Sequence, residues 1–204
     1  MREYSTPLTV EIPATGNLTD DIVANAEQAP ATVVFSRRAG DTWSDVTAAQ
    51  FLDEVKSVAR GLVAAGIEPG DRVALISKTR YEWTLVDYAI WFPGAITVPV
   101  YETSSAEQIE WILGNSGARA VVAEGAAHTA RIAERRSSLA ELNHVWSLDD
   151  NAVEVLRRLG EDISDDELES RRTTATPLDL ATVIYTSGTT GRPKGCLLTH
   201  GNFM

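Results

Sequence analysis

Residues 180–202 read LATVIYTSGTTGRPKGCLLTHGN. Within them, the ten residues 186–195 hold four hydroxyls (Thr186, Ser187, Thr189, Thr190), three glycines (Gly188, Gly191, Gly195) and Lys194, one of only three lysines in the chain. These are the residue types that a polyphosphate requires. Glycine lets backbone N–H groups turn inward and approach an anion closely. Hydroxyls donate to phosphate oxygens or ligate magnesium, and a lysine supplies a point charge for phosphate. The spacing is not that of the common P-loop, which places four residues between a glycine and Gly-Lys-Ser/Thr. Here two residues separate Gly191 from Lys194, and Gly195 follows the lysine. A hairpin turn rich in Gly and Thr is the competing reading. Four hydroxyls, three glycines and a lysine in one decapeptide favour the phosphate reading over it.

Other constellations carry less. His128, His144 and His200 have no metal-ligand spacing and no cysteine partners. Gly114-Asn115-Ser116-Gly117 falls short of a nucleophile elbow because Ala118 stands where the last glycine should be, and it reads as a helix end. Cys196 lies in an apolar run and is expected to be a small buried side chain. Trp83, Trp91 and Trp111 fall on helical stripes and are expected in the core.

The elements around the loop follow from periodicity. Thr182, Val183 and Ile184 predict a strand over 181–185, and the apolar run after the loop predicts another over 196–199. A loop that leads into a strand brings no helix N-terminus to an anion. Upstream, a short helix is predicted over 19–27 and a hairpin joining 31–35 to 42–46 across residues 37–41. Thr47 and Gln50 have capping-box spacing, and the stripe Phe51, Leu52, Val55, Val58, Ala59, Leu62, Val63 predicts a helix ended by Gly66. Strands at 72–77, 95–100, 119–123 and 144–148 then alternate with helices at 81–92, 104–114, 126–136 and 152–159. Ser104 and Glu107 cap the second of these helices. Continuous apolar strands alternating with amphipathic helices predict a mainly parallel sheet covered on both faces. Residues 161–169 hold six carboxylates and read as a solvated linker helix capped by Ser164 and Glu167. The arginine pairs 37–38, 135–136, 157–158 and 171–172 read as surface decoration. The resulting division is an N-terminal segment with a hairpin (1–46), an alternating α/β region (47–160), an acidic linker helix (161–178), and a strand with its phosphate loop (179–204).

Composition bounds the partners. The 204 residues are 44% hydrophobic and 23% charged, as in ordinary globular chains, which excludes disordered and fibrous classes. A net charge of −11 argues against nucleic acid, because an acidic surface repels phosphate backbones. A single cysteine excludes a disulfide framework and fits a reducing compartment. The longest uncharged run, 88–101, is 14 residues long and holds Pro93, Gly94 and Pro99, short of the ~20 a membrane span needs. A cytoplasmic protein is expected.

The run Tyr185-Thr186-Ser187-Gly188-Thr189-Thr190-Gly191-Arg192-Pro193-Lys194-Gly195, followed by Thr199-His200-Gly201-Asn202, resembles the phosphate-loop signature of the adenylate-forming superfamily. That superfamily holds acyl-CoA synthetases, luciferases and peptide-synthetase adenylation domains. Gly70-Asp71-Arg72-Val73-Ala74-Leu75, Arg80-Tyr81-Glu82-Trp83 and Val98-Pro99-Val100-Tyr101-Glu102-Thr103-Ser104-Ser105 resemble its long-chain fatty-acid–CoA ligase branch. The likeness covers nearly the whole chain. It implies an α/β fold with a mostly parallel sheet flanked by helices, the incomplete N-terminal part of the adenylate-forming enzyme fold. It implies an ATP-dependent acid–thiol ligase in which a fatty carboxylate attacks the α-phosphate of ATP, and coenzyme A then displaces AMP from the acyl-adenylate. It places Thr186, Ser187, Gly188, Thr189, Thr190, Gly191 and Lys194 around the β- and γ-phosphates, with Thr186 near Mg²⁺. Fatty acid, ATP and coenzyme A are the partners implied for the complete enzyme, with peripheral association to membranes for the acyl substrate.

The family's adenine-stacking segment, ribose-binding aspartate, hinge and C-terminal domain with its adenylation lysine have no counterpart up to Met204, so no catalytic residue is assigned. The expectation is an N-terminal fragment or truncated reading frame that is inactive alone. Two alternatives stand beside it. One is another adenylate-forming enzyme, such as a medium-chain or aryl-CoA ligase or an adenylation domain. The other is a short non-catalytic nucleotide-binding module.

Overall fold

The computed structural model describes residues 5–6, 11–186 and 192–204. Helix α1 (Asp20–Gln28) leads into a hairpin of β1 (Val33–Ala39) and β2 (Thr42–Thr47). The strands run further than predicted. The connection expected over 37–41 is a tight turn at Gly40 and Asp41, with Arg38 paired across from Trp43 and Gly40 at φ +63°. Arg37 sits 5.1 Å over the Tyr81 ring and its guanidinium reaches Glu54 at 3.4 Å. Thr47 then caps α2 (Ala48–Ala64): its hydroxyl accepts the Gln50 N–H, and its own N–H donates to the Gln50 side chain.

The remaining elements alternate as the periodicity predicts. They are β3 (Arg72–Ile76), α3 (Tyr81–Trp91), β4 (Ile96–Val100), α4 (Ala106–Ser116), β5 (Ala118–Ala123), α5 (Ala126–Glu134), β6 (His144–Ser147), α6 (Ala152–Leu159), α7 (Asp165–Arg172), β7 (Leu180–Thr186) and β8 (Lys194–Thr199). Six of the strands form one sheet in the order β6-β5-β3-β4-β7-β8, parallel except for the antiparallel β7–β8 pair. The expected α/β class with a mostly parallel sheet is the one observed. Alternate residues of β3 feed two cores. Val73 and Leu75 pack with the α2, α3 and α6 side, and Ala74 and Ile76 with the α4 and α5 side. Among the described residues no helix is long and apolar enough to cross a membrane.

Three local expectations need correction. The cap of α4 is Ser105 with Gln108, not Ser104 with Glu107. Both pairs have the same spacing, but Ser104 is buried in the turn before the helix, where its N–H donates to the Tyr101 carbonyl. The acidic segment exposes its six carboxylates as expected but is not a free linker, since α7 docks through fully buried Leu168. Arg172 is not decoration either. It is 7% exposed, pairs with Asp20 and Glu169 and donates to Thr19 Oγ1, while the Asn17 side chain donates to its carbonyl. The hydrogen bonds it donates to the Glu169 carboxylate hold this guanidinium firmly charged.

Two buried features yield predictions. Gly61 on α2 lies so close to α6 that a β-carbon would run into the Leu156 carbonyl, which is backbone and cannot swing aside. Gly61→Ala is therefore expected to destabilise by about 1–3 kcal/mol, read from chemical denaturation. Asp87 on α3 is buried, and its Oδ1 and the Thr97 Oγ1 of β4 both lack a hydrogen-bond partner among the described residues. Burial pushes the Asp87 carboxyl from 3.8 up to about 7. The unfolded chain releases this proton at lower pH than the folded one. Stability from this group is thus whole below about pH 4, falls by up to about 1.4 kcal/mol per pH unit, and is gone once pH passes about 7. The Tm advantage of Asp87→Asn over the parent should widen between about pH 5 and pH 8. A difference independent of pH would show that Asp87 does not titrate in this window.

Candidate functional site

Strand β7 joins the parallel sheet beside β4, with Thr182 opposite Thr97, and β8 returns antiparallel to it. The register sets Thr186 opposite Lys194, Tyr185 opposite Gly195 and Ile184 opposite Cys196. Of the predicted phosphate-binding residues, Thr186 and Lys194 are described, and the hairpin makes them cross-strand neighbours with exposed side chains. Ser187, Gly188, Thr189, Thr190 and Gly191 lie outside the described residues. Cys196 is exposed, contrary to expectation, because β8 is the edge strand and most of its side chains face solvent.

Two tryptophans on different helices hold this hairpin. Trp91 of α3 donates its indole N–H to the Ala181 carbonyl, and Trp111 of α4 donates to the Pro193 carbonyl, each at 2.8 Å. A half-buried indole needs such a partner, which is why these residues are not simple core. The Arg192 guanidinium lies 4.6 Å over the Trp111 ring. One helical turn beyond Trp111, Asn115 Oδ1 accepts the Tyr185 hydroxyl at 2.7 Å. A groove of about 980 Å³ runs along α4 on the outer flank of this contact, lined by Gln108, Trp111, Asn115, Arg192 and Pro193. It borders the stem and not the Thr186–Lys194 pair. Sequence reasoning missed Trp111 and Asn115 as site residues. The available signal was their i, i+4 spacing, which puts an indole and an amide on one helix face.

The electrostatics suit an anion. Arg60, Arg72, Arg80, Arg119, Arg135 and Arg171 all pair with carboxylates. Neither Arg192 nor Lys194 has a carboxylate partner among the described residues. Lys56, Arg131 and Arg136 share this lack, but of these cations only Arg192 and Lys194 lie two residues apart in the hairpin, in a chain of net charge −11. His200, at the end of β8, belongs to the scaffold: it is buried, its Nδ1 accepts the Leu18 N–H at 3.3 Å, and burial lowers its pKa. A magnesium ion that arrives on nucleotide phosphates needs only one or two protein ligands, and the Thr186 hydroxyl fits as one. No group of three or more His, Cys, Asp or Glu side chains that could hold a metal occurs among the described residues.

Comparison with known proteins agrees with this geometry. The family described as AMP-binding enzyme matches residues 22–204. A long-chain-fatty-acid–CoA ligase of Mycobacterium tuberculosis, FadD15, is 40% identical over 207 aligned residues, covering all of this chain and 34% of that protein. The long-chain-fatty-acid–CoA ligase ACSBG2 of Xenopus laevis is 29% identical over 83% of this chain and 24% of its own length. This chain spans about a third of the length of the curated relatives it matches best in coverage. Among solved structures, a Mycobacterium tuberculosis fatty acyl CoA synthetase superposes with a TM-score of 0.74 at 26% identity, covering 90% of this chain and 34% of that one. An anthranilate CoA ligase, AuaEII, gives 0.72 at 22% identity, covering 94% and 35%, a likeness of fold alone.

The ring of Tyr185 lies across the backbone of β8. A methyl at Gly195 would stand 2.9 Å from Val183 Cγ1 and 3.3 Å from Tyr185 Cζ. Gly195→Ala is expected to lower stability by about 1–2 kcal/mol in thermal unfolding. Cys196→Ala, at the exposed neighbouring position, should stay within about 0.5 kcal/mol.

Proposed function

Since this chain belongs to the AMP-binding enzyme family, we propose that it forms the N-terminal, phosphate-handling part of an ATP-dependent long-chain fatty-acid–CoA ligase. The observation that carries this reading is the β7–β8 hairpin. It sets a hydroxyl and an ammonium side by side, Thr186 against Lys194, two residues along the chain from Arg192, which stacks on Trp111. The choice of acid rests on relatives named as long-chain ligases. In the same reading the protein works in the cytoplasm, takes coenzyme A as its thiol, and meets membranes only peripherally.

The proposed reaction has two displacements. A fatty carboxylate oxygen attacks the α-phosphorus of ATP, the bond to the bridging oxygen breaks, and pyrophosphate leaves with that electron pair. The coenzyme A thiolate then attacks the acyl carbon, and AMP departs. This chain's residues act on the first leaving group. As the bond to the α-phosphorus lengthens, negative charge builds on the departing pyrophosphate, and the Lys194 ammonium offsets it where no carboxylate competes. The Thr186 hydroxyl donates to a phosphate oxygen or shares in holding the nucleotide's Mg²⁺. That ion, when bound, supplies further neutralisation of the phosphates.

The test is Lys194→Ala in the ligase that contains this chain. Loss of a charge-assisted contact, on the order of 1.5–3 kcal/mol, corresponds to a tenfold to hundredfold fall in kcat/KM for MgATP. Fatty-acid-dependent ATP–pyrophosphate exchange measures it, and the KM for the acid should hold. Unchanged exchange at every MgATP concentration would remove Lys194 from the phosphate site.

A further inference from the structure

We propose that α4 is the positioning element of the phosphate-binding hairpin, with Trp111 and Asn115 determining where Lys194 and Thr186 stand. The inference rests on the phosphate reading of that hairpin and adds residues that the reading does not contain. Its first support is the placement of the two bonds. Asn115 holds Tyr185, the residue before Thr186, and Trp111 holds Pro193, the residue before Lys194. Each strand of the hairpin is thus pinned one residue ahead of its proposed phosphate contact, and both pins come from one face of one helix.

The second support is that α4 is a fixed reference. Its capping box at Ser105 and Gln108 is complete, and Gly117 closes its other end at φ +64°. Ile109 and Leu113 are sealed against the sheet. The turn ahead of the helix is held as well. Arg131 of α5 donates to the carbonyls of Glu102 and Ser104, and the His128 ring bonds the Glu102 carbonyl.

The third support is that few other side-chain bonds reach this end of the hairpin. Strand β8 lies at the edge of the sheet, with Leu197 60% exposed, whereas β7 packs against β4 and buries Val183 and Tyr185 on the α4 side. At the opposite end, Trp91 holds Ala181 from the other face of the sheet. Among the described residues, the bonds from Trp111 and Asn115 are the side-chain hydrogen bonds that reach residues 185–194. Arg192, stacked on Trp111, is carried by the same helix. Misplacement of a reacting geometry by about 1 Å costs on the order of a hundredfold in rate, so two well-placed bonds have leverage over the chemistry.

The experiment compares Trp111→Phe, Asn115→Ala, Tyr185→Phe and Trp91→Phe with the parent in the ligase that contains this chain. The readouts are the Kd for MgATP, kcat/KM for MgATP in pyrophosphate exchange, KM for the fatty acid, and Tm. Trp111→Phe keeps a ring beneath Arg192 and loses only the N–H. It should weaken MgATP binding and kcat/KM by about tenfold and leave the KM for the acid in place. Asn115→Ala and Tyr185→Phe remove the same bond from its two ends, so each should have a similar effect and the pair together no more than either. Trp91→Phe removes an equivalent bond far from Lys194, and should lower Tm without changing kcat/KM for MgATP. Parent-like MgATP parameters in Trp111→Phe and Asn115→Ala, alongside an impaired Lys194→Ala, overturn the role of α4 and leave the phosphate reading standing. An equal loss in Trp91→Phe also overturns it, because the effect is then one of general hairpin stability. An unimpaired Lys194→Ala overturns the phosphate reading itself.

Discussion

The four residues from Val73 to Ile76 are sealed from water on both faces of the sheet, and much of the molecule follows from this. A strand without solvent on either side must have its backbone groups paired along both edges. It must also have helices above and below, which requires long crossovers. The chain meets both demands by laying β4 on one side of β3 and β5 on the other. Polar chemistry has little room in such an interior; Asp87, whose carboxyl is pushed up to about 7 by burial, shows what an acid there becomes. The groups suited to an anion stand instead on the β7–β8 pair, at the margin of the sheet.

Charge is distributed by the same economy of position. Most arginines are tied to carboxylates, and Arg172 reaches deep enough to join α7 to the N-terminal segment through Asp20 and Thr19. Exposed pairs of this kind contribute little each. Their larger effect is to neutralise most of the basic side chains, so that Lys194, with no carboxylate partner among the described residues, keeps its charge available against a negative background.

The sheet, its parallel sense and most helix limits were legible because apolar periodicity reports burial directly. The spans 152–159 and 72–77 were read to within a residue of α6 and β3. The family was legible in residues 185–195, whose types are crowded beyond what a turn needs. The failures have local causes. Ser104 and Ser105 offer the same capping spacing one residue apart, and only packing of the preceding turn decides between them. Arg172 looks like its neighbour Arg171 in sequence, and its burial depends on Asp20, 152 residues away. Cys196 was assigned to the interior from its apolar neighbours, which cannot reveal that a strand lies at an edge. Trp111 does pack against the core as periodicity predicts, but periodicity records the ring and not the N–H that reaches Pro193.

The tie between the N-terminal segment and the far end of the chain has a consequence for biosynthesis. The Leu18 N–H is bonded to a histidine 182 residues further on, and the Asn17 amide reaches across 155 residues to Arg172. At ribosomal rates of roughly 5–20 residues per second, Leu18 emerges on the order of 10–40 s before His200 is made. For that interval the segment around Asn17 has lost its final neighbours, while β3, β4 and α4 are already able to assemble. Residues made early are therefore among the last to be secured, and a chaperone that shields the Asn17 segment during synthesis would guard the seam that closes on Arg172 and His200.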